Sequence, residues 1–181
     1  TDGASVGHHL LDLSGRRALV TGAGRGLGRA IAVAYAEAGA EVVICARGEA
    51  RLRETERQIR AAGGSVTAVP ADVTDEADVR RLGEVAGQID ILVNNAGGAV
   101  WQPWETVTLD AWHEAFRLNL DAPFRLIQLF APGMRQRGWG RIINVASVYG
   151  SISPDRRYYK PDWDVSSYFA TKHGINGLTR Y

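Results

Sequence analysis

The chain has 181 residues, 45% hydrophobic and 23% charged, which fits one globular domain with enough apolar material for a core. A net charge of +1 gives no reason to expect a nucleic acid or an acidic surface as partner. One cysteine, Cys45, excludes an intramolecular disulfide framework and fits a reducing, cytoplasmic setting.

No apolar run approaches the roughly 18 residues of a membrane span. Thr1–His9 lacks the basic start and apolar stretch of a signal peptide and reads as a polar tail. His8 and His9 fall short of the three or four convergent ligands a zinc site needs, so no metal is expected.

Arg17–Thr21 is a short apolar run that stops at a glycine cluster, which predicts a buried strand. Gly26–Ala38 is Ala-rich with an apolar face, and Gly39 follows it as a helix terminator. Glu41–Ala46 reads as a second strand, Glu49–Ala62 as a charged amphipathic helix and Ser65–Ala71 as a third strand. Asp75–Ala86 reads as a helix with Thr74 as N-cap.

A fourth strand is predicted at Asp90–Asn94, followed by a long helical stretch from Leu109 to about Arg137 that Pro123 and Pro132 should kink or split. Arg141–Ala146 is a fifth strand, and Val165–Tyr181 is helical. Strand–helix alternation of this kind argues for one α/β domain over 1–181, with a doubly wound, Rossmann-type parallel sheet.

Gly22, Gly26 and Gly28 stand between the first strand and first helix with the spacing G-x-x-x-G-x-G. Glycines there permit a tight turn and close approach to a pyrophosphate, and the helix N-terminus offers N–H groups to the anion. The strict G-x-G-x-x-G register is absent, and an ordinary tight turn is the competing explanation. The second strand ends at Ala46-Arg47 with no acid to hold a ribose 2′-hydroxyl. Arg47 and Arg25 instead suit a 2′-phosphate, which favours NADP(H) over NAD(H).

The chain resembles the short-chain dehydrogenase/reductase family from about Leu11 onward. The resemblance rests on four motifs in the family's order: Thr21–Gly28, then Asn94-Asn95-Ala96-Gly97, then Ser147 closing the fifth strand, then Tyr168-Phe169-Ala170-Thr171-Lys172. It implies a cofactor site that includes Gly22, Gly24, Arg25, Gly26, Leu27, Gly28, Arg47, Asp72, Val73, Asn95, Ala96, Gly97, Tyr168 and Lys172. It implies catalytic roles for Asn119, Ser147, Tyr168 and Lys172, with Asn119 connecting Lys172 to solvent through water. A surface asparagine is the alternative for Asn119, and a strand-end cap for Ser147.

The chemistry suits these residues. Hydride transfer between a nicotinamide and a carbonyl or secondary alcohol needs a group that moves a proton at the oxygen. Tyr168 and Lys172 are i, i+4 on one helix and share a face, so the ammonium can favour the phenolate. With six tyrosines and two lysines, a chance pair at this spacing is expected about 0.07 times. Ser147 would orient the substrate oxygen by a hydrogen bond. Trp101 and Trp104 either line a pocket or pack, and Asn94 and Asn95 are assigned structural bonds to neighbouring strands and the cofactor's surroundings.

Two departures from the family pattern stand out. The stretch between Ser147 and Tyr168 is long, and its segment 153–164, with Arg156, Arg157 and Lys160, reads either as a loop for a polar substrate such as a sugar acid or as a surface insertion. The chain also stops at Tyr181, where the family continues for two more strands in the order 3-2-1-4-5-6-7. The apolar fifth strand would then be an exposed edge, so a longer polypeptide or a covering partner is expected. The resemblance implies a homodimer or homotetramer formed through Leu109–Arg137 and Val165–Tyr181. The competing function is a catalytically silent nucleotide-binding regulatory or structural protein of the same fold.

Overall fold

The computed structural model describes residues 12–99, 101–153, 155, 157 and 165–181. The chain order is β1 (Arg17–Thr21), α1 (Gly26–Glu37), β2 (Glu41–Ala46), α2 (Glu49–Ala61), β3 (Ser65–Pro70), α3 (Glu76–Ala86) and β4 (Ile91–Asn94). It continues through α4 (Leu109–Phe116), a π-helical turn (Arg117–Asp121), α5 (Ala122–Gln136), β5 (Arg141–Asn144), a 3-10 turn (Val148–Gly150) and α6 (Ser166–Arg180). The expectations on the Thr1–His9 tail and Lys160 lie outside the described residues.

All five strands are parallel, in the order β3-β2-β1-β4-β5. The central register sets Leu19 beside Val43 on one side and Leu92 on the other. Alternate residues serve opposite faces. Leu19, Val43, Cys45 and Leu92 pack under α3 and α5 with Leu82, Leu126 and Phe130. Ala18, Val20, Val42, Ile44 and Val93 pack under α1 and α2 with Ala32, Leu52 and Ile59. Burial on both faces explains why β1, β2 and β4 are apolar almost throughout. Beyond β4, β5 is the outer strand of the described sheet, and its Ile143 is 39% exposed.

Three local details differ from the sequence expectations. The cap of α3 is Asp75, whose side chain accepts from the Asp78 N–H at 2.9 Å. Thr74 instead folds back on Asp72, its hydroxyl donating to Oδ1 at 2.7 Å. The helical stretch does not split before Pro123: it runs from α4 through the π turn into α5 with helical backbone at both junctions. The extra residue of that turn relieves the clash Pro123 would make with the carbonyl of Asn119, four residues back. Pro132 sits inside α5 without ending it. Among the described residues no helix is long and apolar enough to cross a membrane.

Candidate active site

The glycine turn is shaped by three contacts. Gly22 has φ +67°, and a Cβ there would stand 2.8 Å from Asn95 Nδ2 and 2.9 Å from the Ala96 backbone. Gly28 packs so tightly on the Gly22 carbonyl that no Cβ fits. Thr21 and Asn95 tie β1 to the loop after β4: Thr21 Oγ1 accepts from the Asn95 and Ala96 N–H groups at 3.1 and 3.0 Å, and Asn95 Nδ2 donates to the Thr21 carbonyl at 2.8 Å.

The helix behind the turn begins without a side-chain cap. Its N-cap is Arg25, whereas α3 and α4 are capped by Asp75 and Thr108. The first amides of α1 therefore have neither an intrahelical acceptor nor one from the N-cap side chain, an arrangement that suits an anion.

A cavity of about 580 Å³ opens in front of this turn at the C-terminal ends of the strands. It is lined by Gly22, Gly24, Arg25, Gly26, Leu27 and Gly28, then Arg47, Asp72, Val73, Asn95, Ala96 and Gly97. Every expected cofactor contact outside the Tyr168–Lys172 pair thus faces one space. Arg51 and Leu118 also line it and were not anticipated. Arg51 stands in the first turn of α2, four residues after Arg47, which precedes that helix. Arg47 is 71% exposed at its side chain and stands 3.7 Å from Asp72, an ion pair too loose and wet to immobilise it.

A second cluster lies beside the first. Lys172, 6% exposed, donates from Nζ to the Val145 carbonyl at 2.6 Å and sits 5.5 Å from the centroid of the Tyr168 ring. Burial holds its ammonium below the ordinary lysine range. Val145 is two residues before Ser147, so this bond joins α6 to the end of β5.

The 3-10 turn after Ser147 is locked to α6 twice more. Asn176 Nδ2 donates to the Gly150 carbonyl at 2.8 Å, and the Tyr149 and Phe169 rings meet edge-on with centroids 4.6 Å apart. Ser147 does cap this turn, accepting from the Tyr149 N–H at 3.2 Å. An accepted bond leaves the hydroxyl proton available to a substrate oxygen, so capping orients the donor.

Asn119 is 2% exposed within the π turn, which excludes the surface-asparagine alternative. Its Oδ1 accepts from the Gly98 N–H at 3.0 Å, and its Nδ2 donates to the Gly98 carbonyl at 2.8 Å and to Thr171 Oγ1 at 3.2 Å. Gly97 joins the two clusters: it lines the cavity, and a Cβ there would stand 3.0 Å from Asn119 Oδ1 and 3.6 Å from Lys172 Nζ.

Some expected residues stand apart. Ser147, Tyr168 and Lys172 do not line the 580 Å³ cavity, which covers only the part of the site in front of the glycine turn. Trp101 and Trp104 are 58% and 61% exposed and do not line it either. Asn94 bonds Asn144 at 2.8 Å, the inter-strand role expected. Within segment 153–164, Arg156 and Lys160 lie outside the described residues, and the Arg157 guanidinium forks onto Asp155. No group of three or more metal-ligating side chains occurs among the described residues.

The chain belongs to the short chain dehydrogenase family, whose profile matches residues 16–181. It is 36% identical over 181 residues to the rhamnolipids biosynthesis 3-oxoacyl-[acyl-carrier-protein] reductase of Pseudomonas aeruginosa, covering 96% of this chain and 68% of that one. Among solved structures it is similar to a gluconate 5-dehydrogenase from Burkholderia cenocepacia in complex with NADP and tartrate, with 38% identity, TM-score 0.82, and coverage of 94% of this chain and 65% of the other. It is also similar to a 7α-hydroxysteroid dehydrogenase complexed with NADH and 7-oxo glycochenodeoxycholic acid, with 32% identity, TM-score 0.84, and coverage of 93% and 64%. The chain thus spans about two thirds of the length of these relatives.

Proposed function

We propose that the chain is the cofactor-holding and catalytic part of an NADP(H)-dependent oxidoreductase that interconverts a secondary alcohol and a carbonyl. The observation that carries this reading is the buried Lys172 ammonium, fixed by Val145, 5.5 Å from the Tyr168 ring and next to the Ser147 turn. A bound nicotinamide dinucleotide would supply or accept the hydride.

The chain's own residues would do the rest. The uncapped amides of α1 and the glycine turn suit a pyrophosphate. Arg25, Arg47 and Arg51 line the same cavity and suit a 2′-phosphate, which favours NADP(H). The NADP and NADH named for the two solved relatives leave both dinucleotides in play, so this preference rests on the arginines.

Ser147 would donate to the substrate oxygen, and Tyr168 Oη would give that oxygen its proton in reduction or take it in oxidation. The Lys172 ammonium would stabilise negative charge developing on the phenol oxygen and reach the cofactor ribose past Gly97. Asn119 would hold the loop over Lys172 and form part of a water path that returns the proton from solvent.

The substrate would be a small alcohol or carbonyl compound. The sugar-acid class expected from segment 153–164 has a parallel in the gluconate 5-dehydrogenase. Relatives of comparable identity carry the names of an oxoacyl reductase and a hydroxysteroid dehydrogenase. Pairing of copies through α5, which the family resemblance implies, would cover Phe124, 46% exposed on that helix.

The test is a panel of sugar-acid, oxoacyl and steroid substrates, with NADPH and NADH compared by kcat/KM on the intact protein. Turnover favouring NADPH supports the reading. Binding without turnover would favour the silent nucleotide-binding protein, and an NADH preference would overturn the role of the arginines.

A further inference from the structure

Helix α2 buries a stripe of Leu52, Thr55 and Ile59 against the sheet. A threonine in such a stripe is out of place, because its hydroxyl must find partners or cost stability. Thr55 is fully buried, and its Oγ1 donates to the Ala23 carbonyl at 2.9 Å while accepting from Arg29 Nε at 3.0 Å. Arg29, on α1, then donates from Nη2 to the Gly24 carbonyl at 2.8 Å. Two consecutive carbonyls of the glycine turn are therefore held from behind by side chains of two helices.

The peptide geometry gives this network a consequence. In a trans peptide the C=O and the following N–H point in opposite directions, and the described chain has no cis peptide. Fixing the Ala23 and Gly24 carbonyls fixes the Gly24 and Arg25 N–H groups the other way. Gly24 and Arg25 both line the cavity.

We propose that Thr55 and Arg29 are positioning residues for the cofactor: they hold the carbonyl side of the glycine turn so that its amides face a dinucleotide pyrophosphate. The proposal rests on the cofactor reading above and adds two residues that touch no cofactor atom. It also makes the turn and the first half of α2, which carries Arg51, one unit. Arg29 places a permanent positive charge behind the turn, a further attraction for an anion.

The experiment is NADPH and NADH binding by fluorescence titration on the intact wild-type protein and on Thr55→Val, Thr55→Ser and Arg29→Met, well below each variant's melting temperature. Valine keeps the shape of threonine and lacks the hydroxyl; serine keeps the hydroxyl and lacks the methyl. Thr55→Val and Arg29→Met are expected to raise the Kd of the preferred dinucleotide about tenfold, and Thr55→Ser to stay within about threefold of wild type. A packing role reverses that order, so tighter binding by Thr55→Val than by Thr55→Ser overturns the proposal, as does a Thr55→Val Kd within twofold of wild type. If wild-type protein binds neither dinucleotide, the cofactor reading itself fails and takes this proposal with it.

Discussion

Lys172 Nζ donates to the Val145 carbonyl at 2.6 Å, and this bond fastens the helix that carries Tyr168 to the strand end that carries Ser147. The ammonium is held in the fold rather than left to solvent. Lys172→Met removes the charge and keeps the stem. It is expected to lower kcat by at least about 100-fold. Steady-state kinetics check this, and a loss below about threefold would contradict a role for the ammonium.

The same burial predicts where the pH profile bends. A base pushed below the ordinary lysine value of ~10.4 loses its charge earlier as pH rises. Activity that depends on that charge should therefore fall on the alkaline side earlier than an ordinary lysine would dictate, and Lys172→Met should lose that limb from its residual activity.

Arg51, in the first turn of α2, and Arg47, just before that helix, line the same cavity. Arg51→Ala combined with Arg47→Ala is expected to raise KM for NADPH about tenfold or more while changing KM for NADH less than twofold. The NADPH effect should shrink at high salt, as an exposed charge contact does. Equal losses for both dinucleotides would mean that neither arginine reads a 2′-phosphate.

Gly22 combines φ +67° with close approach to Asn95 and Ala96. Gly22→Ala should cost about 2 kcal/mol through backbone strain and crowding, ~4–8 °C in Tm. It should also weaken dinucleotide binding, because the displaced loop carries Asn95 to Gly97. A thermal melt unchanged within a degree would contradict the crowding.

Burial in the apolar layer under α3, with Asp78 nearby, pushes the Cys45 thiol up to about 12. The unfolded thiol ionises near ~8.5, so above that pH the unfolded state loses its proton first and folding stability falls as pH rises toward the folded value. Between pH 8 and 10 this amounts to about 2 kcal/mol. Unfolding free energies of wild type and Cys45→Ala from urea melts should therefore shift relative to each other by that amount over the interval, wild type losing stability. Lys172 acts in the opposite sense but is common to both proteins and cancels. Parallel pH curves would show that the thiol is not held protonated.

The strands, the glycine turn and the strand order were legible because each leaves a local mark: β-branched runs, glycine spacing, and strand–helix alternation that admits few topologies. The four family motifs were legible only as an ordered set. Other features depend on contacts between distant segments and left no local signal. Thr55 sits among charged residues in sequence, and its burial becomes meaningful only when α2 meets the turn. Asn119 was singled out by the family resemblance alone; its burial and its bonds to Gly98 and Thr171 come from the π turn and could not be read locally. The proline positions pointed to a break, but only the backbone shows that Pro123 is accommodated by a π turn and Pro132 by α5 itself.

The central claim is that Tyr168 moves the proton while the glycine turn and its arginines hold the cofactor. It is tested most directly by Tyr168→Phe on the intact protein, with NADPH titration and turnover measured on the same sample. The account predicts a Kd within about twofold of wild type and kcat lowered by at least about 100-fold. A variant that turns over at a rate comparable to wild type would contradict it.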